Sequence, residues 1–397
     1  MDGVDAPLTD PIRGGSEPDR LWTLTNVGEA TSDILSPLCW SLWGRGVEFA
    51  SRRGLYDFGV LPASAVVVLD DPNRWSTACF FGRQAMNVDR ARELAGLLPG
   101  LTGDDFERDL LGSVRPDATP TKSDQKRLPI VAVKAALVLL RELSAPRRAY
   151  SQQLSWWRAT VPAGDPTDAR ALLADSAGRF SAAMRVHVRT RLLANALRSQ
   201  VESIVPKMGR ADLVPVLLAG YGGVIETELA DDIWSLGHGG LTMDDFLAKH
   251  GFHGPNDGNV IGHSWREDPA AVLRAAAAHA GRPEGDRPRA RVYRTVTRRK
   301  SAEAELLAGL SPLRRWLLRR LLVFTGAEVR SIELTQAAFL TAVDGCRAAA
   351  RAMGDEFVAA VRGRHRQRKE TSALSSGDVV RVNGSTGEVT VLKRSGD

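Results

Sequence analysis

From residue 128 onward, apolar residues recur at three- and four-residue spacing with charged residues between them, the pattern of helices that each bury one stripe. The spacing predicts helices over 130–143, 147–161, 167–204, 209–218, 223–236, 242–250, 270–280, 301–324 and 327–353. Ahead of them, residues 22–60 open polar and continue as a helical segment carrying Trp40, Trp43, Val47 and Tyr56. The β-branched run at 64–70 reads as a short strand, and the weak alternation over 77–87 as a second. Within 94–112, Pro99-Gly100 interrupts the chain and 102–107 restarts a short helix, followed by a charged loop at 113–127. Near the other end, 377–392 alternates as two strands around a turn at Asn383-Gly384, a hairpin too small to stand alone. The fold class is therefore mainly α: a helical bundle with a small β element near the N-terminal part and a C-terminal β-hairpin.

One stretch breaks the helical pattern. Residues 250–269, HGFHGPNDGNVIGHSWREDP, hold three of the seven histidines and two turn signals between Gly254 and Gly258, which keep the segment irregular. The stretch ends in a helix start, with Asp268 placed to cap and Pro269 suited to the first helical position. A polar loop against a helix N-terminus suits an anion or a developing negative charge, although capping accounts for the same residues.

Composition narrows the picture. With 397 residues and 43% hydrophobic content the chain can bury a core. The formal charge of +6 comes largely from 287–300, 314–320 and 362–369. These runs read as solvated faces and loops, because aromatic residues do not interleave with them as on a nucleic-acid surface; a weak anionic partner stays open. Cys39, Cys79 and Cys346 are odd in number and far apart, as for reduced, buried thiols, and no stretch is apolar enough to span a bilayer. A cytoplasmic protein with no membrane partner is the expectation.

Phosphate-binding loops, dinucleotide fingerprints, nucleophile elbows and His-Glu-x-x-His are missing from the sequence, and nothing in it demands a metal or organic cofactor. His187 reads as a packed or surface histidine, and Glu226, Glu228, Asp231 and Asp232 as a solvated acidic face. His253 and Asp257 lie close enough in sequence for an Asp-oriented imidazole that moves a proton near neutral pH, unless both merely tie the loop to its neighbours. The tryptophans serve either a core or a pocket.

Several segments in order carry a resemblance: TNVGEATSDILSPLCWSLWGRGVE, CFFGRQAMNVDRARELAGLLPG with FERDLLG, FLAKHGFHGPNDGNVIGHSWREDP, and the stretch from Arg330 through RAAARAMG. Over residues 22–354 the chain resembles the middle, substrate-binding domain of the phosphoenolpyruvate-utilising dikinase family, in its rifampicin phosphotransferase branch. The resemblance implies a helical domain for a bulky apolar ligand, flanked in other members by an ATP-grasp domain and a swivelling phosphohistidine domain. Here both are expected to be missing, apart from GDVVRVNGSTGEVTVL, which is similar to closing strands of the swivelling domain. The implied layout is a disordered lead-in at 1–20, a substrate-binding domain at 21–361, a basic linker at 362–376 and the hairpin remnant at 377–397. Where relatives read Tyr-Gly-His-Arg-Gly-Pro-x-Glu, this loop has Phe252 for the His, His253 for the Arg and Asp257 for the Glu. None of the seven histidines, His365 included, stands in the family's phosphate-carrier setting.

These readings converge on a repurposed domain holding a polyketide- or macrocycle-like metabolite. In it His253 and Asp257 carry a cofactor-free cyclisation or dehydration, while Asn26, Glu29, Trp43, Asn256, Trp265 and Arg266 shape the substrate site. The alternatives are a non-catalytic binding or resistance protein, and the substrate-binding subunit of a split phosphotransferase with partner chains supplying the ATP-grasp and phosphohistidine domains.

Overall fold

A computed structural model describes residues 20–24, 31, 34–67, 75–97, 102–122, 126, 128–142, 144–160, 169–218, 225–254, 258–260, 262–354, 379–382 and 389–393. Strand β1 (Arg20–Thr23) precedes α1 (Pro37–Asp57), whose Ser36 side chain caps the helix by accepting from the Cys39 amide at 3.1 Å. Strands β2 (Thr77–Phe80) and β3 (Arg83–Asn87) form a hairpin through Phe81 and Gly82, both at positive φ. Helices α2 (Val88–Gly96) and α3 (Gly103–Leu111) follow, the latter with a reciprocal capping box between Thr102 and Asp105. The bundle proper comprises α4 (Leu128–Glu142), α5 (Ala145–Thr160), α6 (Ala169–Lys207), α7 (Val214–Leu217), α8 (Ile225–Gly237), α9 (Met243–His250), α10 (Ala270–His279), α11 (Pro288–Leu307) and α12 (Pro312–Ala352). Two last strands, β4 (Val379–Val382) and β5 (Val389–Lys393), pair with each other and dock on β1. The result is one antiparallel sheet in the order β2-β3-β1-β4-β5, with Trp22 opposite Asn87 on one side and Val380 on the other.

The mainly α architecture with its small β element and C-terminal hairpin is as the pattern predicts. Four local expectations are corrected. Residues 64–67 are not a strand: a 3-10 turn occupies Ala63–Ala65, and Arg52 holds it by donating to the Ala65 carbonyl at 3.2 Å; 68–70 lie outside the described residues. Tertiary contacts here override β propensity. The single strand expected at 77–87 is a hairpin, and α2 was not anticipated. The 209–218 helix shrinks to a 3-10 turn and the four-residue α7. The pair expected at 301–324 and 327–353 is divided elsewhere: Gly309 at φ 74° ends the first helix region, Pro312 opens α12, and α12 then runs through Gly326 unbroken.

The main core lies where α1, α6 and α12 meet. Trp43, Phe180 and Phe339 form a mutual edge-to-face trio with ring centroids 5.0, 5.7 and 6.0 Å apart. Helices α1 and α6 approach closely because position 46 is glycine; a Cβ there would stand 2.8 Å from the Phe180 ring. Among the described residues no helix is long and apolar enough to cross a membrane.

Candidate functional site

Helix α9 starts with the Thr242 side chain accepting from the Asp245 amide at 3.1 Å and stops at Gly251. A side chain is excluded at 251, where a Cβ would lie 2.3 Å from the Leu247 carbonyl oxygen, and at 254, where it would lie 2.3 Å from that of His263. These glycines let two arms of the loop close on each other. The Trp265 amide donates to the His253 carbonyl at 2.6 Å and the Arg266 amide to that of Gly251 at 3.2 Å. The far arm hands over to α10, and here the expected start is corrected by one residue: the N-cap is Pro269, whose carbonyl accepts from the Leu273 amide at 3.0 Å, while Asp268 precedes it and its Oδ1 accepts from the Ala270 amide at 3.1 Å.

Buried backbone in an irregular loop needs partners, and the body supplies them from two sides. From α1, Trp43 Nε1 donates to the Gly258 carbonyl at 2.7 Å and Cys39 Sγ contacts the same oxygen at 3.3 Å. From α12, the fully buried Arg347 donates through Nε to the Asn259 carbonyl and through Nη1 to the Phe252 carbonyl, each at 3.0 Å. One turn on, Arg351 Nη2 reaches Glu267 Oε2 at 2.8 Å and the Gly262 carbonyl at 3.3 Å. Asp344 answers Arg266 Nη1 at 2.7 Å, and that guanidinium lies over the Trp157 ring of α5 at 3.6 Å. Asn259 Nδ2 donates to the Ile34 carbonyl at 3.1 Å.

The loop holds an imidazole–aromatic cluster in which Phe246, His250 and Phe252 are buried and His253 and Trp265 are half-buried. The His253 ring stands 4.4 Å from Phe252, 5.4 Å from Trp265 and 6.3 Å from His250, and Phe246 lies 5.2 Å from His250. His250 Nε2 is 2.8 Å from Asp232 Oδ2 on α8, and Lys249 Nζ is 2.6 Å from the same oxygen. Burial pushes the His250 imidazole down to about 4 despite the opposing pull of Asp232. Burial alone would raise the Asp232 carboxyl, but the hydrogen bonds from Lys249 and His250 hold it below its usual range. At neutral pH the pair is therefore a carboxylate accepting Nε2–H from a neutral ring, whose lone pair sits on Nδ1. Burial also raises the Tyr150 phenol, which shares the field of Lys249 and Arg266.

Of the residues expected to form the site, His253, Trp265 and Arg266 come together here, and Trp43 supports the loop from the core. Asn26, Glu29, Asn256 and Asp257 lie outside the described residues. The Asp-oriented imidazole that the structure displays is His250 with Asp232. The acidic face expected around Asp231 and Asp232 is not solvated: Asp231 is buried and bidentate with Arg287 at 2.7 and 2.9 Å, and Glu228 lies 3.7 Å from Lys249 and 3.5 Å from Arg330. Sequence reasoning also missed Asp344, Arg347 and Arg351. Their signal was present, since three charges recur at helical spacing in the otherwise apolar run TAVDGCRAAAR. Among the described residues no three His, Cys, Asp or Glu side chains gather to hold a metal ion.

Comparison with known proteins bears directly on this loop. Residues 240–331 match the family described as the rifampicin phosphotransferase fourth domain, a span that holds α9, the whole loop, α10, α11 and the start of α12. No curated protein matches. The segment that carries His250, Phe252, His253 and Trp265 is thus similar to the fourth domain of rifampicin phosphotransferase, which supports a domain related to that branch of the phosphoenolpyruvate-utilising dikinase family.

Proposed function

We propose that this chain is a small-molecule-binding domain, repurposed within its family to hold a bulky apolar metabolite and to promote a cofactor-free cyclisation or dehydration in secondary metabolism. The carrying observation is the half-buried His253 ring set between Phe252 and Trp265, with neutral His250 behind it. The half-buried indole face of Trp265 suits an apolar ligand, and the half-buried imidazole beside it is a group that can carry a proton. Holding the ends of a flexible chain together supplies much of what a cyclisation needs. The rigid mounting of the loop on α1 and α12 supports such positioning.

The test is native mass spectrometry of the purified chain after incubation with metabolite extract from its host, comparing wild type with His253→Ala and Trp265→Ala. A bound species whose isomer or dehydrated form accumulates with wild type but not with His253→Ala supports the reading. Turnover unchanged in His253→Ala removes the assigned role, and binding without conversion assigns the chain to sequestration.

A second reading, the substrate-binding subunit of a split phosphotransferase, draws support from β5. It is an edge strand of the described sheet and suits extension by strands from a partner domain. ATP-dependent phosphorylation that appears only when separate ATP-grasp and phosphohistidine chains are added would select this reading.

A further inference from the structure

Of the three basic stretches, 362–369 lies outside the described residues, and 287–300 is engaged in part. Arg287 clasps Asp231, and buried Arg299 donates to Glu303 at 2.7 Å and to the Leu322 carbonyl at 2.9 Å. The stretch 314–320 is used differently. It occupies the first turns of α12, and Leu318 and Leu322 on one side of the helix enter a core cluster with Val201, Val205, Leu306 and Leu307. The opposite side faces outward and is also apolar: Leu313 is 67% exposed, Trp316 56%, Leu317 53% and Val323 54%. Positions 313, 316, 317, 320 and 323 follow the i, i+3, i+4 rule, so they form one stripe about 15 Å long. Exposed Arg314 and Arg319 flank the stripe, Arg320 within it stands over the Trp316 ring at 5.8 Å, and exposed Arg315 lies nearer the side of Leu322 and donates to the Leu310 carbonyl at 3.2 Å. Residues 311–327 contain these four arginines and no Asp or Glu.

Water is a poor environment for four large apolar side chains on one helical stripe. Cations alone would suit any acidic surface, and leucines alone any apolar groove. Together, with an indole that prefers the interfacial zone and arginines whose stems bury while their heads reach outward, they match an anionic lipid headgroup layer over acyl chains. We propose that the first three turns of α12 dock the protein on anionic bilayers, lying in the surface plane with Leu313, Trp316, Leu317 and Val323 immersed and Arg314, Arg319 and Arg320 at the phosphates. This is surface attachment, distinct from the membrane crossing that no described helix can make.

The full chain is to be sedimented with vesicles of phosphatidylcholine alone and of phosphatidylcholine with about 30% phosphatidylglycerol. The expected result is at least about tenfold stronger binding to the anionic vesicles, falling as salt is raised. Trp316→Glu, and separately Arg319→Gln with Arg320→Gln, each reduce binding about tenfold or more, with the thermal midpoint unchanged because these side chains are exposed. No binding, equal binding to both vesicle types, or binding indifferent to both variants overturns the proposal. A lipid-free dimer, seen by sedimentation velocity and dissolved by Trp316→Glu, also overturns it and assigns the stripe to a second copy of the chain.

Discussion

His250 on α9 and Asp232 on α8 share a hydrogen bond of 2.8 Å, and the imidazole that makes it is held down to about 4 by burial. Burial does the same to His187, which also reaches about 4 and lies beside Thr335 at 2.9 Å. Both rings bind a proton more readily when the chain is unfolded. Their stability contribution is therefore fully present above the ordinary histidine value of 6.5 and is lost as the pH falls from there towards 4. Each ring accounts for at most about 3 kcal/mol. Urea midpoints should drop between about pH 7.5 and pH 5 in wild type, and the drop should shrink in His187→Gln and His250→Gln. An unchanged slope in both variants would sink this account.

Arg347 satisfies two loop carbonyls that no solvent reaches. Arg347→Met keeps the side chain's bulk and removes both donors, at an expected cost of about 3 kcal/mol. Hydrogen exchange should then accelerate across residues 250–267 before it does so in α6. Arg347→Lys should recover little, because one ammonium cannot reproduce two directional guanidinium bonds. Exchange rates that rise uniformly would show that the arginine stabilises the core rather than the loop.

Two glycine substitutions should have opposite signs. Gly254→Ala drives a Cβ against the His263 backbone oxygen, so the two arms must part, at roughly 1–3 kcal/mol. Gly178→Ala, in an exposed turn of α6 with nothing within 4 Å, should stabilise by about 0.5–1 kcal/mol. Calorimetric midpoints moving in the same direction would contradict the close approach of the arms.

Thiol chemistry offers a check on burial. Burial pushes both Cys39 and Cys346 up to about 12, and Cys39 also leans on the Gly258 carbonyl. Neither should react with an aromatic disulfide reagent in the folded protein near about pH 8, and both should react once it is unfolded in guanidinium. Rapid labelling of Cys39 without unfolding would mean that the loop lifts from α1.

Helical periodicity carried most of the fold, because a stripe that must be buried leaves its spacing in the sequence. It placed α5, α6, α8 and α9 within a few residues. It failed at α12, where helices expected at 301–324 and 327–353 are joined through 325–326 in one helix, while Gly309 and Pro312 form the real boundary. The strand expected at 64–70 failed because Val66 is buried and Arg52 ties Ala65 into a turn. The loop was legible as an irregular break in the helical pattern, from the turn signals between Gly254 and Gly258. Its partners were not, since Asp232 is 18 residues from His250 and Arg347 is 95 from Phe252. Local spacing holds no information about which distant charge closes a given gap.

The placement of β1 sets an order on synthesis. Residues 20–23 lie between β3 and β4, so one neighbour emerges some 60 residues later and the other about 360 residues later. Until the ribosome has released residues 379–382, one edge of β1 stays open beside a finished bundle. A nascent chain stalled before that point should therefore bind holdase chaperones through this edge, and one stalled after it should not.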